Sequence, residues 1–324
     1  MSDIPALHPD RNLAMELVRA TEAAAIRAYP FIGKGDKLAA DGAAVDAMRA
    51  FLGTVNFEGL VVIGEGEKDD APMLFNGEVV GNGQGPKVDI AVDPIDGTSL
   101  TAAGRQNAIS VIAVADRGSM LDASAVFKMN KFVVGPVGKD VCDIRKPMSE
   151  NIRAYAKAAG KGVDEVLVAV LDREYNQALI EEIRAAGAAT RLVRDGDVAT
   201  GIQAARLDSR IDMSVGIGGS PEGIVTACGI KALGGLIQGI LAPKEPFEFE
   251  RGEAAGLKFE HVYEMDEMVS SDNTFFVATG VTDGALLSGV RKRGEIVTTE
   301  SIVIRGRSGT VRKVFAEYQA ERWI

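Results

Sequence analysis

The sequence predicts a protein of two mixed domains, an α+β half followed by an α/β half. Three observations predict it. The chain has 324 residues, about two domains' worth at roughly 150 residues each. Apolar residues recur at helical spacing in some segments and as short unbroken runs in others. Beyond Pro147 the two kinds of segment alternate regularly, which is the pattern of parallel strands joined by crossover helices.

The elements follow in chain order. Leu13, Leu17, Ala20, Ala24 and Ala28 share one helical face, and Pro30 ends that helix. A second helix carries Ala44, Val45, Met48, Phe51 and Leu52 after Asp41. Runs 60–63, 88–92, 108–115 and 132–134 are apolar and bounded by glycine or proline, so they predict buried strands. The stretch Gly135-Pro136-Val137-Gly138-Lys139 breaks the pattern and places a domain boundary near residue 140. The expected division is 1–140 and 141–324. Within the second part the spacing predicts helices over 150–159, 177–186 and 198–205, with strands over 166–171, 190–193 and 211–215. Residues 243–260 are polar and charged, a surface excursion that is helical in part. Strands resume at 274–278, 302–304 and 311–315. The cations Arg291, Lys292, Arg293, Arg305, Arg307, Arg312 and Lys313 in this last part are expected on a solvated sheet face.

Charge and composition narrow the chemistry. Asp plus Glu number 46 against 36 Lys plus Arg, a formal net charge of −10, which argues against a nucleic-acid binder held by phosphate contacts. The two histidines, His8 and His261, are too few for a multi-histidine zinc site. Cys142 and Cys228 stand in no CxxC and suit a reducing cytoplasm, as structural thiols. No apolar run approaches the length of a membrane span, and the first dozen residues lack the apolar core of a signal peptide. A cytoplasmic protein with no membrane partner is expected, and its chemistry is expected to rest on carboxylates.

Those carboxylates gather in two turns. In Asp93-Pro94-Ile95-Asp96-Gly97-Thr98 a buried strand ends on an acid, proline sets the turn, and a second acid follows three residues on. Oxygen donors so placed suit Mg²⁺ or Mn²⁺ with substrate phosphate completing the shell; an Asp-Pro turn with a capping Asp is the competing reading. Gly64-Glu65-Gly66-Glu67-Lys68-Asp69-Asp70 also follows a short apolar strand. There Asp69 or Asp70 either serves a water or caps a helix starting near Pro72. By themselves, Asp41 reads as the N-cap of a helix from Gly42, and Glu222, after Ser220-Pro221, as a first-turn acid. The glycine-rich loop Gly216–Gly219 leads into that helix and offers backbone N–H groups to a phosphate. Asp195 and Asp197, flanking Gly196, suit sugar hydroxyls, with helix capping as the other role for Asp197.

Three ordered segments carry a resemblance: Gly33-Lys-Gly-Asp-Lys-Leu-Ala-Ala-Asp41-Gly-Ala-Ala-Val45, Val62-Ile-Gly-Glu-Gly-Glu67 and Asp93-Pro-Ile-Asp-Gly-Thr98. Asp195-Gly-Asp197, Gly216-Ile-Gly-Gly-Ser-Pro-Glu-Gly223, Ala278-Thr-Gly-Val281 and Thr298-Thr-Glu-Ser301 extend it. Together they resemble the class II fructose-1,6-bisphosphatases, relatives of the inositol monophosphatases among the metal-dependent, lithium-sensitive phosphatases. The resemblance implies a layered αβαβα sandwich of two domains, the first metal-binding and the second substrate-binding. It implies Mg²⁺ or Mn²⁺ on Asp41, Glu65, Asp93, Asp96 and Glu222, a catalytic Thr98 with Asp69 as its partner, and a homo-oligomer. The implied reaction is hydrolysis of the 1-phosphate of fructose 1,6-bisphosphate by a metal-activated water. Sugar-phosphate contacts are expected from Asp96, Gly97, Thr98, Lys128, Arg173, Tyr175, Asp195, Gly196, Asp197 and Gly219.

The chain departs from that family in two places. Lys128 stands where members carry a tyrosine, and Arg173-Glu174-Tyr175-Asn176 replaces Arg/Lys-Pro-Arg-His. These departures keep open another substrate, sedoheptulose 1,7-bisphosphate or a sugar monophosphate. A non-catalytic sugar-phosphate sensor is the remote alternative.

Overall fold

The computed structural model of the chain describes residues 13–65 and 74–322. Two helices open it, α1 (Leu13–Ala28) and α2 (Lys37–Leu52). They pack on an eight-stranded sheet of β1 (Glu58–Ile63), β2 (Val79–Val80), β3 (Lys87–Asp96), β4 (Ile109–Asp116) and four strands from the far end of the chain. A short helix, α3 (Thr98–Ala102), links β3 to β4.

The second sheet has six strands. It begins with β5 (Lys128–Val134) and, after α4 (Met148–Ala159), takes in β6 (Leu167–Leu171) and β7 (Ala189–Val193), joined by α5 (Gln177–Ala185). Then α6 (Val198–Ala204), β8 (Met213–Gly219), α7 (Ser220–Leu233) and β9 (Leu236–Leu241) follow, with α8 (Pro246–Ala254) inside the expected surface excursion. A short β10 (Tyr263–Glu264) and α9 (Met265–Met268) lead back to the first sheet, which β11 (Phe275–Gly280), β12 (Arg291–Arg293), β13 (Ile296–Arg305) and β14 (Thr310–Gln319) complete.

Three apolar clusters show how these elements are layered. One lies between α1 and α2 and the first sheet, with Leu17, Ile26, Met48, Phe57, Ile90 and Val277 at its centre. Another joins the two sheets through α6 and α7, with Val198, Ile202, Ile224 and Ile230 against Val111, Phe276 and Met129. The last packs α4 and α5 on the outer side of the second sheet through Ile152, Tyr155, Ile180 and Ile183. The result is the αβαβα order of layers. Each sheet buries both faces, so its central strands read as apolar runs rather than alternating ones.

Sheet membership does not follow a cut at residue 140. β5 precedes that point yet lies in the second sheet, while β11–β14 lie beyond it and pair in the first. The second sheet is also mixed rather than parallel: β7, β6 and β8 are parallel, but β5 runs antiparallel to both β8 and β9. Helix and strand alternate from α4 to β9, but parallel pairing joins only β7, β6 and β8, because β5 inserts between β8 and β9. The cations near the C-terminus divide as well. Arg291, Lys292, Arg293, Arg307, Arg312 and Lys313 are exposed, but Arg305 is buried with its guanidinium 3.9 Å from the centre of the Phe275 ring.

Candidate active site between the two sheets

The end of β3 shows how a local sequence places two acids together. Residues 93 and 96 would point to opposite faces of a regular strand. Here β3 carries one extra residue against β4, since Asp93 and Asp96 sit opposite Val111 and Ile109. The bulge restores a common side to the two carboxylates, and Pro94, with no N–H to give the ladder, sits within it. Asp93 Oδ1 accepts the Ile95 N–H at 3.0 Å and Thr98 Oγ1 donates to the Ile95 carbonyl at 3.1 Å. Gly97 has φ +98°, a left-handed turn that glycine permits without strain, and it starts α3 directly behind the acids.

Across from this turn, the second sheet contributes the strap 195–197, the end of β8 and the first turn of α7. Together they line a cavity of about 380 Å³ with Glu65, Asp93, Asp96, Gly97, Thr98, Lys128, Arg173, Tyr175, Asp195, Gly196, Asp197, Gly219 and Glu222. Asp96 Oδ2 accepts the Val198 N–H at 3.2 Å, and Asp195 accepts the Ser99 N–H at 3.1 Å, so each sheet holds the other's loop. A Cβ on Gly218 would lie 2.0 Å from Asp197 Oδ2, and one on Gly219 would lie 1.7 Å from Glu222 Oε2. A side chain at either position has to move the carboxylate that occupies that space.

The electrostatics are those of acids crowded away from water. Burial pushes Asp93 and Asp96 well above the usual carboxylate range, with repulsion from Glu65 adding at Asp93 and from Asp197 at Asp96. Burial, then the charges of Asp41 and Glu222, raise Glu65 to about 7, although its carboxyl also hydrogen-bonds that of Asp93. Two carboxyls in contact need a proton or a cation between them. Burial raises Glu222 against the opposing charge of Lys131, and its Oε2 is buried with no hydrogen-bond partner. Burial alone raises Asp41. An orphaned carboxylate oxygen and several mutually repelling oxygen donors fit a hard divalent cation. Among the described residues no three such side chains are gathered closely enough to form a ligand set by themselves.

Several expected roles change. Asp41 does not cap α2: the helix starts at Lys37, and Asp36 caps it by accepting the Ala39 N–H at 2.9 Å. Residues 216–219 are not a loop but the end of β8, because pairing with β5 continues as far as Lys128 opposite Gly219. Asp197 makes no side-chain cap to α6; it pairs with Lys131 at 2.6 Å. Asp195 is engaged by Ser99 and by Arg173 at 3.4 Å. Asp69 and Asp70 lie outside the described residues.

Two cations beside the cavity escape the sequence reading. Lys131 is buried and donates to the Gly219 carbonyl at 2.8 Å as well as pairing with Asp197. Its signal was there: a lysine between Met129 and Val133 interrupts the inward face of β5. Lys244 carries no such signal in its polar surroundings. Its ammonium lies 5.7 Å from the centre of the Tyr175 ring, and that of Lys128 lies 4.9 Å from it and 3.3 Å from the Tyr175 hydroxyl. The buried carboxylate of Glu248 accepts the N–H groups of Phe127, Lys244 and Glu245, each at 2.9 Å. It thereby holds the backbone of both lysines at the cavity's edge. The thiols take no part: Cys142 and Cys228 are free and buried, and burial pushes them up to about 11 and about 12.

A family model described as bacterial fructose-1,6-bisphosphatase, glpX-encoded, matches residues 11–318. Fructose-1,6-bisphosphatase 1 class 2 of Escherichia coli strain K12 is 43% identical over 325 aligned residues, which cover 96% of each chain. Fructose-1,6-bisphosphatase class 2 of Shigella flexneri is similar to the same degree and over the same share.

Proposed function

The chain belongs to the bacterial, class 2 fructose-1,6-bisphosphatase family, and from that membership we propose how its site works. It is a phosphatase that hydrolyses fructose 1,6-bisphosphate to fructose 6-phosphate and inorganic phosphate. The observation that carries the reading is the union of Asp93, Asp96, Thr98 and Glu222, from both sheets, around one cavity.

Asp41, Glu65, Asp93, Asp96 and Glu222 would hold the Mg²⁺ or Mn²⁺. When bound, such an ion supplies charge neutralisation for the phosphate and a lowered pKa for the attacking water. Thr98 donates its hydroxyl hydrogen bond to the Ile95 carbonyl, so its oxygen accepts a hydrogen bond from that water and aims it at phosphorus. Asp69 is its partner in removing the proton. The water oxygen forms the new P–O bond as the bond from phosphorus to the sugar's C1 oxygen breaks. Lys131 offsets the charge of Asp197 and Glu222 within the buried site.

Lys128, Arg173 and Tyr175 would receive the far phosphate, with Lys244 adding a second ammonium at the same ring. Their charges are points or an exposed fork rather than the family's Arg and His. That difference favours a second substrate reading, in which the same groups accept the far phosphate of sedoheptulose 1,7-bisphosphate. The two free thiols suit action in a reducing compartment, the cytoplasm.

The test is phosphate release by purified protein from both bisphosphates and from fructose 1-phosphate, with Mn²⁺ and after its removal. Cation-dependent release fastest from fructose 1,6-bisphosphate is expected. No release from any of the three with the cation present overturns the enzymatic reading, and preference for the monophosphate overturns the distal subsite.

A further inference from the structure

A second cavity, of about 430 Å³, lies behind the strap 195–197. Its walls come from both sheets: Arg105 and Gln106 from the connection between α3 and β4, Arg191 and Leu192 from the edge strand β7, and Arg194 from the strap's approach. The three arginines are exposed, and none of their side chains has an ion-pair or hydrogen-bond partner among the described residues. In a chain of net charge −10 that gathering is conspicuous, since like charges drawn to one hollow repel each other until an anion joins them. The only acid in the lining is Asp195, which is already held by Ser99 and Arg173 on the side of the first cavity.

We propose that this cavity is a separate binding site for a small organic phosphate. Guanidinium forks match phosphate oxygens in pairs, and the volume is that of a small-molecule pocket. Gln106 makes no side-chain hydrogen bond among the described residues and adds a neutral donor, while Leu192, 38% exposed, offers apolar surface to the carbon skeleton. The phosphate bridges the two sheets, with Arg105 on one side and Arg191 and Arg194 on the other. Asp195 belongs to both cavities, so occupancy of the second bears on the strap that faces the substrate. The site does not depend on the catalytic reading, because its three arginines line the second cavity and not the first.

Titration calorimetry of the full-length, metal-free protein with pyrophosphate at low salt tests this. Saturable binding is expected, weakened about tenfold or more by Arg105→Ala and by Arg191→Ala, as loss of one charge-assisted contact implies. Lys128→Ala, in the first cavity alone, is expected to leave it unchanged. Thermal melting of each variant at the wild-type temperature shows that the fold is kept. Absence of saturable binding overturns the proposal. So does affinity that survives both the Arg105 and Arg191 substitutions, or that is lost on Lys128→Ala.

Discussion

The hydroxyl of Thr98 has its proton engaged by the Ile95 carbonyl at 3.1 Å, and its oxygen therefore acts as an acceptor at the cavity wall. A residue that aims a water contributes to the transition state more than to binding. Thr98→Ala is accordingly expected to lower kcat by about 10²- to 10⁴-fold, with KM little changed. Steady-state phosphate release measures both, and an unaltered kcat removes the role. At this scale the sequence was most legible where chemistry and backbone agree: Asp93, Asp96 and Thr98 are flanked by Pro94 and Gly97, whose backbone constraints announce a turn. Lys244 was not legible, because its meaning comes from Tyr175, 69 positions earlier in the chain. Asp195 was legible as a site residue but not in its partners, since Ser99 and Arg173 reach it only once the sheets have packed.

The end of β8 illustrates what an element demands of its residues. Residues 216–219, with glycine at 216, 218 and 219, read as a loop, yet pairing with β5 carries the strand through to Gly219. The glycines are there for space: the carboxylates of Asp197 and Glu222 lie where side chains on Gly218 and Gly219 would start. A glycine run has no side-chain periodicity from which a strand could be recognised, so only the partner strand reveals it. Gly219→Ala puts a methyl group 1.7 Å from Glu222 Oε2 and must displace that carboxylate. Overpacking of this kind costs about 1–3 kcal/mol. Activity is expected to fall at least about tenfold, with half-saturation shifted to higher Mn²⁺ concentration. Titrating activity against Mn²⁺ in the variant checks this; wild-type cation dependence would show that Glu222 has no part in holding the ion.

Over the whole molecule, helices and strands were legible from apolar spacing and their layering from the family resemblance, but the return of the chain was not. The C-terminal strands look like a continuation of the second half, and only pairing of β11 with β4 returns them to the first sheet. One buried acid ties this return to the start of the chain. Glu22 on α1 is 2% exposed, accepts from Thr299 Oγ1 on β13 at 2.8 Å, and also accepts from the Tyr318 hydroxyl on β14. Desolvation by burial raises its pKa above the ordinary 4.5 in spite of those two donors. The sign of the pH effect follows. Between 4.5 and the raised value the folded chain holds a proton that the unfolded chain has released, so ν is larger in the native state and stability falls as pH rises. The group's contribution is fully present below pH 4.5 and is lost as pH climbs through the folded pKa. Glu22→Gln removes the titration; its single amide oxygen still accepts from one of the two hydroxyls, and its NH2 donates to the oxygen of the other. Relative to wild type, the variant is expected to gain stability steadily as pH is raised from 4.5, levelling off above the folded pKa. Denaturant midpoints of both proteins across that range measure the difference. A difference independent of pH would mean that Glu22 titrates alike in the folded and unfolded chain, and that the junction of first helix and last strand carries no charge in tension.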